Sequence, residues 1–365
     1  MTKMQQPFLR RLTALRRAMK ESGTDAMFVV DRYNTQYLSG FRGTHSTILI
    51  SQELTYFMTD SRYFERVGKE LSGWELELQA GNGREQLKQL VKRRGWKTIG
   101  FEGSLPHSSY QTYSGLFEGA KMEEKGSLIK DLRITKGSEE KRALLKAVKM
   151  GDKVFAQLLK TLEFSKVGPT EWELRNQIRR IMDDLGAEGE SFPTIVAAGA
   201  NSSLPHATPG DREVHNGDFL LFDFGVLLNG YCSDMTRTIL WGKPSGDQRK
   251  VYDAVLAAQT RALDALEPGV KARDVDAIAR DTIDKKGFSE YFGHGLGHGV
   301  GLEIHEPPTL NPQSEDVLEA GMVVTVEPGI YIPGFGGVRI EDMAVITEDG
   351  CEVLTQTSKK LLCVG

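Results

Sequence analysis

The chain has 365 residues, of which 39% are hydrophobic and 26% charged, and a formal net charge of −4. That length fits two domains, and the weak charge provides no field that would gather nucleic acid or an anionic membrane. No apolar run approaches the roughly 18 residues a membrane-spanning helix needs. Three widely spaced cysteines, Cys232, Cys351 and Cys363, suit a reducing cytoplasm better than a disulfide framework.

The opening segment MTKMQQPFLRRLTALRRAMKESG sets Phe8, Leu12, Leu15 and Met19 at helical spacing. It reads as a surface helix and lacks the unbroken apolar block of a secretion signal. Strand-like stretches follow at 25–30, 46–51 and 54–60, then a helix over 85–95 and a strand over 97–103, an α/β alternation. A long amphipathic helix is predicted to start near Ser138. We therefore expect a small N-terminal α/β domain over 1–133 and a larger domain over 134–365.

The larger part begins with helices over 138–164 and 170–186. Strand-like FPTIVAAG (192–199), the loop ANSSLPHATPGD (200–211) and paired strands over 217–241 come next. Helices are expected at 247–266 and 272–286, then strands near 293–305, 322–332 and 336–346. The overall expectation is α/β (α+β).

Two hairpins carry acids. In DFLLFDFGVLLNGYCSDMTRTILW, Asn229-Gly230 signals a tight turn, and the parity of an antiparallel pair puts Asp223 and Asp234 on one face. Their separation is then roughly 5 to 8 Å by cross-strand spacing. The neighbours Leu220, Leu221, Phe222 and Phe224 are core-like, and like charges half-buried among them require a compensating cation. In MVVTVEPGIYIPGFGGVRIEDMAVIT, Glu327 and Glu341 centre on Gly334 and can also share a face, with Arg339 beside them. Asp342 points the opposite way and reads as a surface acid. Arg339 is either an acid's ion-pair partner or a substrate contact.

The stretch FGHGLGHGVGLEIHE holds three of the seven histidines, His294, His298 and His305, among five glycines. Alternate glycines argue against a helix, and the spacing matches neither a zincin motif nor a nucleotide loop. His298 with the four strand acids makes a five-ligand set rich in oxygen. Four carboxylates call for two divalent ions, with Mn²⁺, Co²⁺ or Fe²⁺ suited better than Zn²⁺. His215, His45 and His107 show no partner in the sequence, and Cys232 reads as a packing residue.

At this point FPTIVAAGANSSLPHATPGD, LLFDFGVLLNGYCSDMTRT, GHGLGHGVGLEIHEPP, VVTVEPGIY and GVRIEDMAVIT, in that order, resemble the pita-bread metallopeptidases. The N-terminal part is similar to the small domain of the Xaa-Pro dipeptidase (prolidase) and aminopeptidase P branch. The resemblance implies metal ligands at Asp223, Asp234, His298, Glu327 and Glu341, and active-site histidines at His206 and His305 with His294 nearby as a substrate contact. It also implies Glu327 as proton shuttle, a catalytic role for Arg339, and glycines that bring the backbone close to metal and substrate. The implied activity is two-metal hydrolysis of an N-terminal Xaa-Pro bond, with Mn²⁺ the leading metal and Co²⁺, Fe²⁺ or Zn²⁺ as alternatives. An aminopeptidase P acting on longer peptides and a non-catalytic peptide-binding module are the other readings. A homodimer is expected by the same resemblance, with no nucleic acid or membrane partner.

Overall fold

The computed structural model describes residues 4–78, 83–162 and 168–365. The chain divides into two compact units, Met1–Arg133 and Ile134–Gly365.

The first unit runs α1 (Gln6–Glu21), β1 (Ala26–Val29), α2 (Arg32–Ser39), β2 (Thr47–Ser51), β3 (Thr55–Thr59), α3 (Ser61–Glu70), β4 (Glu75–Leu78), α4 (Gly83–Arg94), β5 (Thr98–Phe101), α5 (His107–Leu116), β6 (Lys121–Glu124) and α6 (Ser127–Ile134). Its sheet has the order β4-β3-β2-β1-β5-β6, antiparallel among β1, β2 and β3 and parallel elsewhere. Leu12, Leu15 and Met19 bury the apolar stripe of α1 completely. The sequence pattern does not reveal α2, α3, α5 or the edge strands β4 and β6. Strand β4 reads ELEL, which alternates but over only four residues, and β6 reads KMEE, with a single apolar residue.

The second unit begins with α7 (Ser138–Leu162), α8 (Glu171–Asp184), β7 (Gly189–Glu190) and β8 (Ile195–Ala198). An acid-bearing hairpin follows, built from β9 (Phe219–Phe224), β10 (Val226–Leu228), β11 (Tyr231–Cys232) and β12 (Met235–Trp241). After α9 (Gly246–Asp264) and α10 (Ala272–Asp284) come β13 (Gly297–Gly299), β14 (Glu306–Leu310), β15 (Val323–Val326), β16 (Gly329–Ile332), β17 (Gly336–Arg339), β18 (Asp342–Ile346), β19 (Cys351–Val353) and β20 (Cys363–Val364). The main sheets have the orders β20-β12-β9-β8 and β14-β13-β15-β18-β19, and β16 and β17 form a separate ribbon. Capping boxes at Thr170/Glu173 and Ser245/Gln248 start α8 and α9.

Helices cover one side of each sheet. Leu220, Phe222 and Phe224 pack against Phe155 and Leu158 of α7 and Ile178 of α8, whereas Val324, Val326 and Ala344 pack against Val255 of α9 and Val275 of α10. The strand faces turned away from these cores carry the acids. The Asn229-Gly230 turn has φ of 53° and 75°, the two positive values a type I′ turn requires. Among the described residues, no helix is long and apolar enough to cross a membrane.

Candidate metal centre and active site

Register brings the acids together. Asp223 on β9 faces Thr236 on β12, and Asp234 lies two residues before Thr236, hence on the same side. In the second hairpin Val326 faces Asp342 and Gly329 faces Arg339, so Glu327 and Glu341 stand opposite each other. Only Asp223 lies inside a strand, contrary to the expectation that all four acids do. Asp234, Glu327 and Glu341 occupy strand breaks, where their amides leave the ladder for Met343 Sδ (3.2 Å), Leu296 O (2.8 Å) and Thr236 O (3.1 Å). Those breaks let two hairpins and the histidine segment converge.

His298 sits on β13, its amide donating to Thr325 Oγ1 at 3.0 Å. Its Nδ1 lies 3.0 Å from Gly299 O, which makes Nδ1 the protonated nitrogen and aims Nε2 at Glu327 Oε1 (3.3 Å) and Asp234 Oδ2 (3.6 Å). Asp234, His298 and Glu341 offer ligand atoms within 4.8 Å of one another. Asp234 Oδ1 and Glu341 Oε1 are buried with no hydrogen-bond partner. Orphaned carboxylate oxygens beside an imidazole fit a bound divalent cation.

The electrostatics agree. Burial, reinforced by the neighbouring carboxylates, holds Asp234 and Glu341 well above the usual carboxylate range. Burial also raises Asp223, against the pull of Arg339. For Glu327, burial acts upward, but the His298 hydrogen bond and charge prevail and bring it down to about 2. His298 is raised, because its contact with Glu327 outweighs burial. A cation among these carboxylates would offset the repulsion that raises them.

Arg339 is buried and donates to Tyr331 Oη (2.7 Å), Thr236 Oγ1 (3.1 Å), Pro205 O (3.4 Å) and the Asp223 carboxylate. Both ring nitrogens of His294 have protein partners, Gly295 O at 2.8 Å and Tyr331 Oη at 2.9 Å. Burial pushes the His294 pKa down. Among the described residues, by contrast, the rings of His206 and His305 make no hydrogen bond. Both line a cavity of about 530 Å³ together with the acids, His298, Arg339 and an apolar wall including Phe192, Pro193, Ile195 and Ile304. Burial and the nearby His298 lower the His305 pKa, and the two rings meet edge to face at 4.4 Å.

Two sequence expectations need correction and one gains detail. Asp342 is not a surface acid: it is 1% exposed and bonds Arg237 (2.6 Å), Gln259 (2.8 Å) and Lys359 (2.9 Å). The glycines beside His298 make room for protein, because a Cβ on Gly297 would strike Thr325 O and one on Gly299 the Pro307 carbonyl, while Gly295 and Gly297 also line the cavity. His45 and His215 each have an acid at 3.9 Å, Asp60 and Asp218, and His107 stacks on Tyr110. Sequence reasoning also missed Thr236 and Tyr331. Thr236 Oγ1 donates to Glu341 Oε2 at 2.7 Å, and Tyr331 links His294 to Arg339. Parity could have found both, since 234 and 236 share a face, as do 327, 329 and 331.

Residues 142–348 match the model of metallopeptidase family M24, and residues 11–135 that of the creatinase/prolidase N-terminal domain. The chain belongs to family M24. As a member of this metallopeptidase family it is a peptidase that uses divalent metal. An Xaa-Pro dipeptidase of Pyrococcus furiosus is 39% identical over 96% of this chain and 99% of its own length. A solved Xaa-Pro dipeptidase from Bacillus anthracis superposes with a TM-score of 0.93 at 40% identity, covering 98% of this chain and 100% of that one. An X-Pro aminopeptidase from Thermotoga maritima gives 0.88 at 36% identity, covering 95% and 100%.

Proposed function

We propose that this M24 peptidase is an Xaa-Pro dipeptidase that works with two divalent ions, Mn²⁺ foremost, held by Asp223, Asp234, His298, Glu327 and Glu341. The observation that carries the reading is the pair of orphaned oxygens, Asp234 Oδ1 and Glu341 Oε1, beside His298. The carboxylate-rich donor set, with one imidazole and no thiolate, favours Mn²⁺ over Zn²⁺. When bound, the ions supply Lewis-acid activation of water and of the scissile carbonyl.

The residues of the chain do the rest. The free rings of His206 and His305 face the cavity and can donate to the carbonyl oxygen as it gains charge. Glu327 is ionised at neutral pH, so it can accept a proton from the attacking water and return it to the prolyl nitrogen. Arg339 offsets the charge of Asp223 and fixes its orientation, and His294 supports that arrangement through Tyr331. Phe192, Pro193, Ile195 and Ile304 offer an apolar wall for the proline ring. A homodimer and a cytoplasmic setting, the latter in keeping with three free cysteines, complete the proposal.

The test is hydrolysis of an Xaa-Pro dipeptide and an Xaa-Pro-Xaa tripeptide by Mn²⁺-loaded and chelator-treated protein. Metal-dependent cleavage with the dipeptide preferred is the expected result. Preference for the tripeptide would make the chain an aminopeptidase P, and inertness toward both would refute the reading.

A further inference from the structure

Lys136 is a cation sealed inside the second unit, its side chain only 1% exposed, and its ammonium lies 2.7 Å from Glu306 Oε1, itself 5% exposed. The ammonium also donates to Ile134 O at 3.0 Å. The lysine backbone is held in turn: its amide donates to Gly321 O at 2.8 Å, and Thr135 bridges to Met322 at the entry to β15. Glu306 directly follows His305 and opens β14, where it pairs with Gly299, the residue after His298. Its carboxylate occupies the space beside Gly301, so closely that a Cβ there would collide with it. The loop between the two site histidines therefore closes around this carboxylate, and the lysine ammonium is one of the groups that hold it.

A buried ion pair is weak evidence for stability, since desolvation cancels much of the attraction, whereas its geometry is strictly enforced. His305 needs such enforcement, because no hydrogen bond within the described protein aims its ring. We propose that Lys136, acting through Glu306, is a positioning residue that aims His305 into the cavity. The inference rests on the reading of His305 as the substrate-facing ring.

The test uses Lys136→Met and, so that no unpaired charge prevents folding, Lys136→Met/Glu306→Gln, each in the native background and with His305→Ala. In the metal-loaded full chain, kcat on an Xaa-Pro dipeptide should fall about tenfold or more in the native background. It should fall no further with His305→Ala, and bound metal should be unchanged. The ¹⁵N–¹H signals of the His305 imidazole should move while those of exposed His215 stay fixed. Equal kcat losses in both backgrounds, or unmoved His305 signals, would overturn the proposal. If the unmutated chain does not cleave the dipeptide, the functional reading fails separately, and the imidazole signals still decide the role of Lys136.

Discussion

Thr236 Oγ1 donates to Glu341 Oε2 at 2.7 Å and accepts from Arg339 Nε at 3.1 Å. One hydroxyl thus joins the two hairpins and leaves Glu341 Oε1 alone without a protein partner. With the other oxygen committed to Thr236, that oxygen is the one the proposed metal site would use. Thr236→Val preserves shape but removes both bonds. It should weaken metal affinity by roughly 10- to 100-fold, the usual cost of losing an orienting partner. Titration of chelator-treated protein with Mn²⁺ measures this, and unchanged affinity would show that Glu341 needs no such orientation.

Asp234 and Glu341 lie above their ordinary range in the cation-free protein, and the sign of the consequence follows. An acid raised in the folded state contributes stability that is complete below its unfolded value and is lost as pH rises through the folded one. At neutral pH the metal-free fold therefore bears this cost, and a cation relieves it. Glu341→Gln should raise the melting temperature of chelator-treated protein by a few degrees, while added Mn²⁺ should no longer raise it further. Calorimetry with and without metal checks both halves. A variant less stable than the parent when metal-free would contradict the sign.

Much of this site was legible because strand parity needs no coordinates. Asp223 with Asp234, and Glu327 with Glu341, were paired by counting residues. The environments escaped the sequence. Asp342 looks exposed until Arg237, Gln259 and Lys359 arrive from distant segments, and His294 looks free until Tyr331 approaches it. Contacts between residues 17 to 105 apart leave no local pattern. In the first unit, α1 was readable from its buried stripe, whereas β4 alternates over only four residues and β6 carries a single apolar residue, too little for either to mark a strand.

Glu102, in the first unit, is pushed up to about 7 by burial, although Val30 N (2.7 Å), Asp31 N (2.7 Å) and Asn34 Nδ2 (2.6 Å) all donate to it. Its folded value lies above the unfolded one, so its contribution is complete below about pH 4.5 and lost as pH rises through 7. The loss amounts to roughly 3 kcal/mol. Hydrogen exchange of the β1 and α2 amides should show protection falling between pH 5 and 8, after correction for intrinsic rates. In Glu102→Gln that slope should flatten. An equally steep slope in the variant would assign the effect to another group.

The central claim is that five side chains hold two divalent ions. Metal analysis of the Mn²⁺-loaded, desalted chain tests it most directly. The account predicts two ions per chain, with loss of bound metal on substitution of Asp234 or His298 by alanine. A chain that retains no ion, or only one, or that keeps both after either substitution, would contradict it.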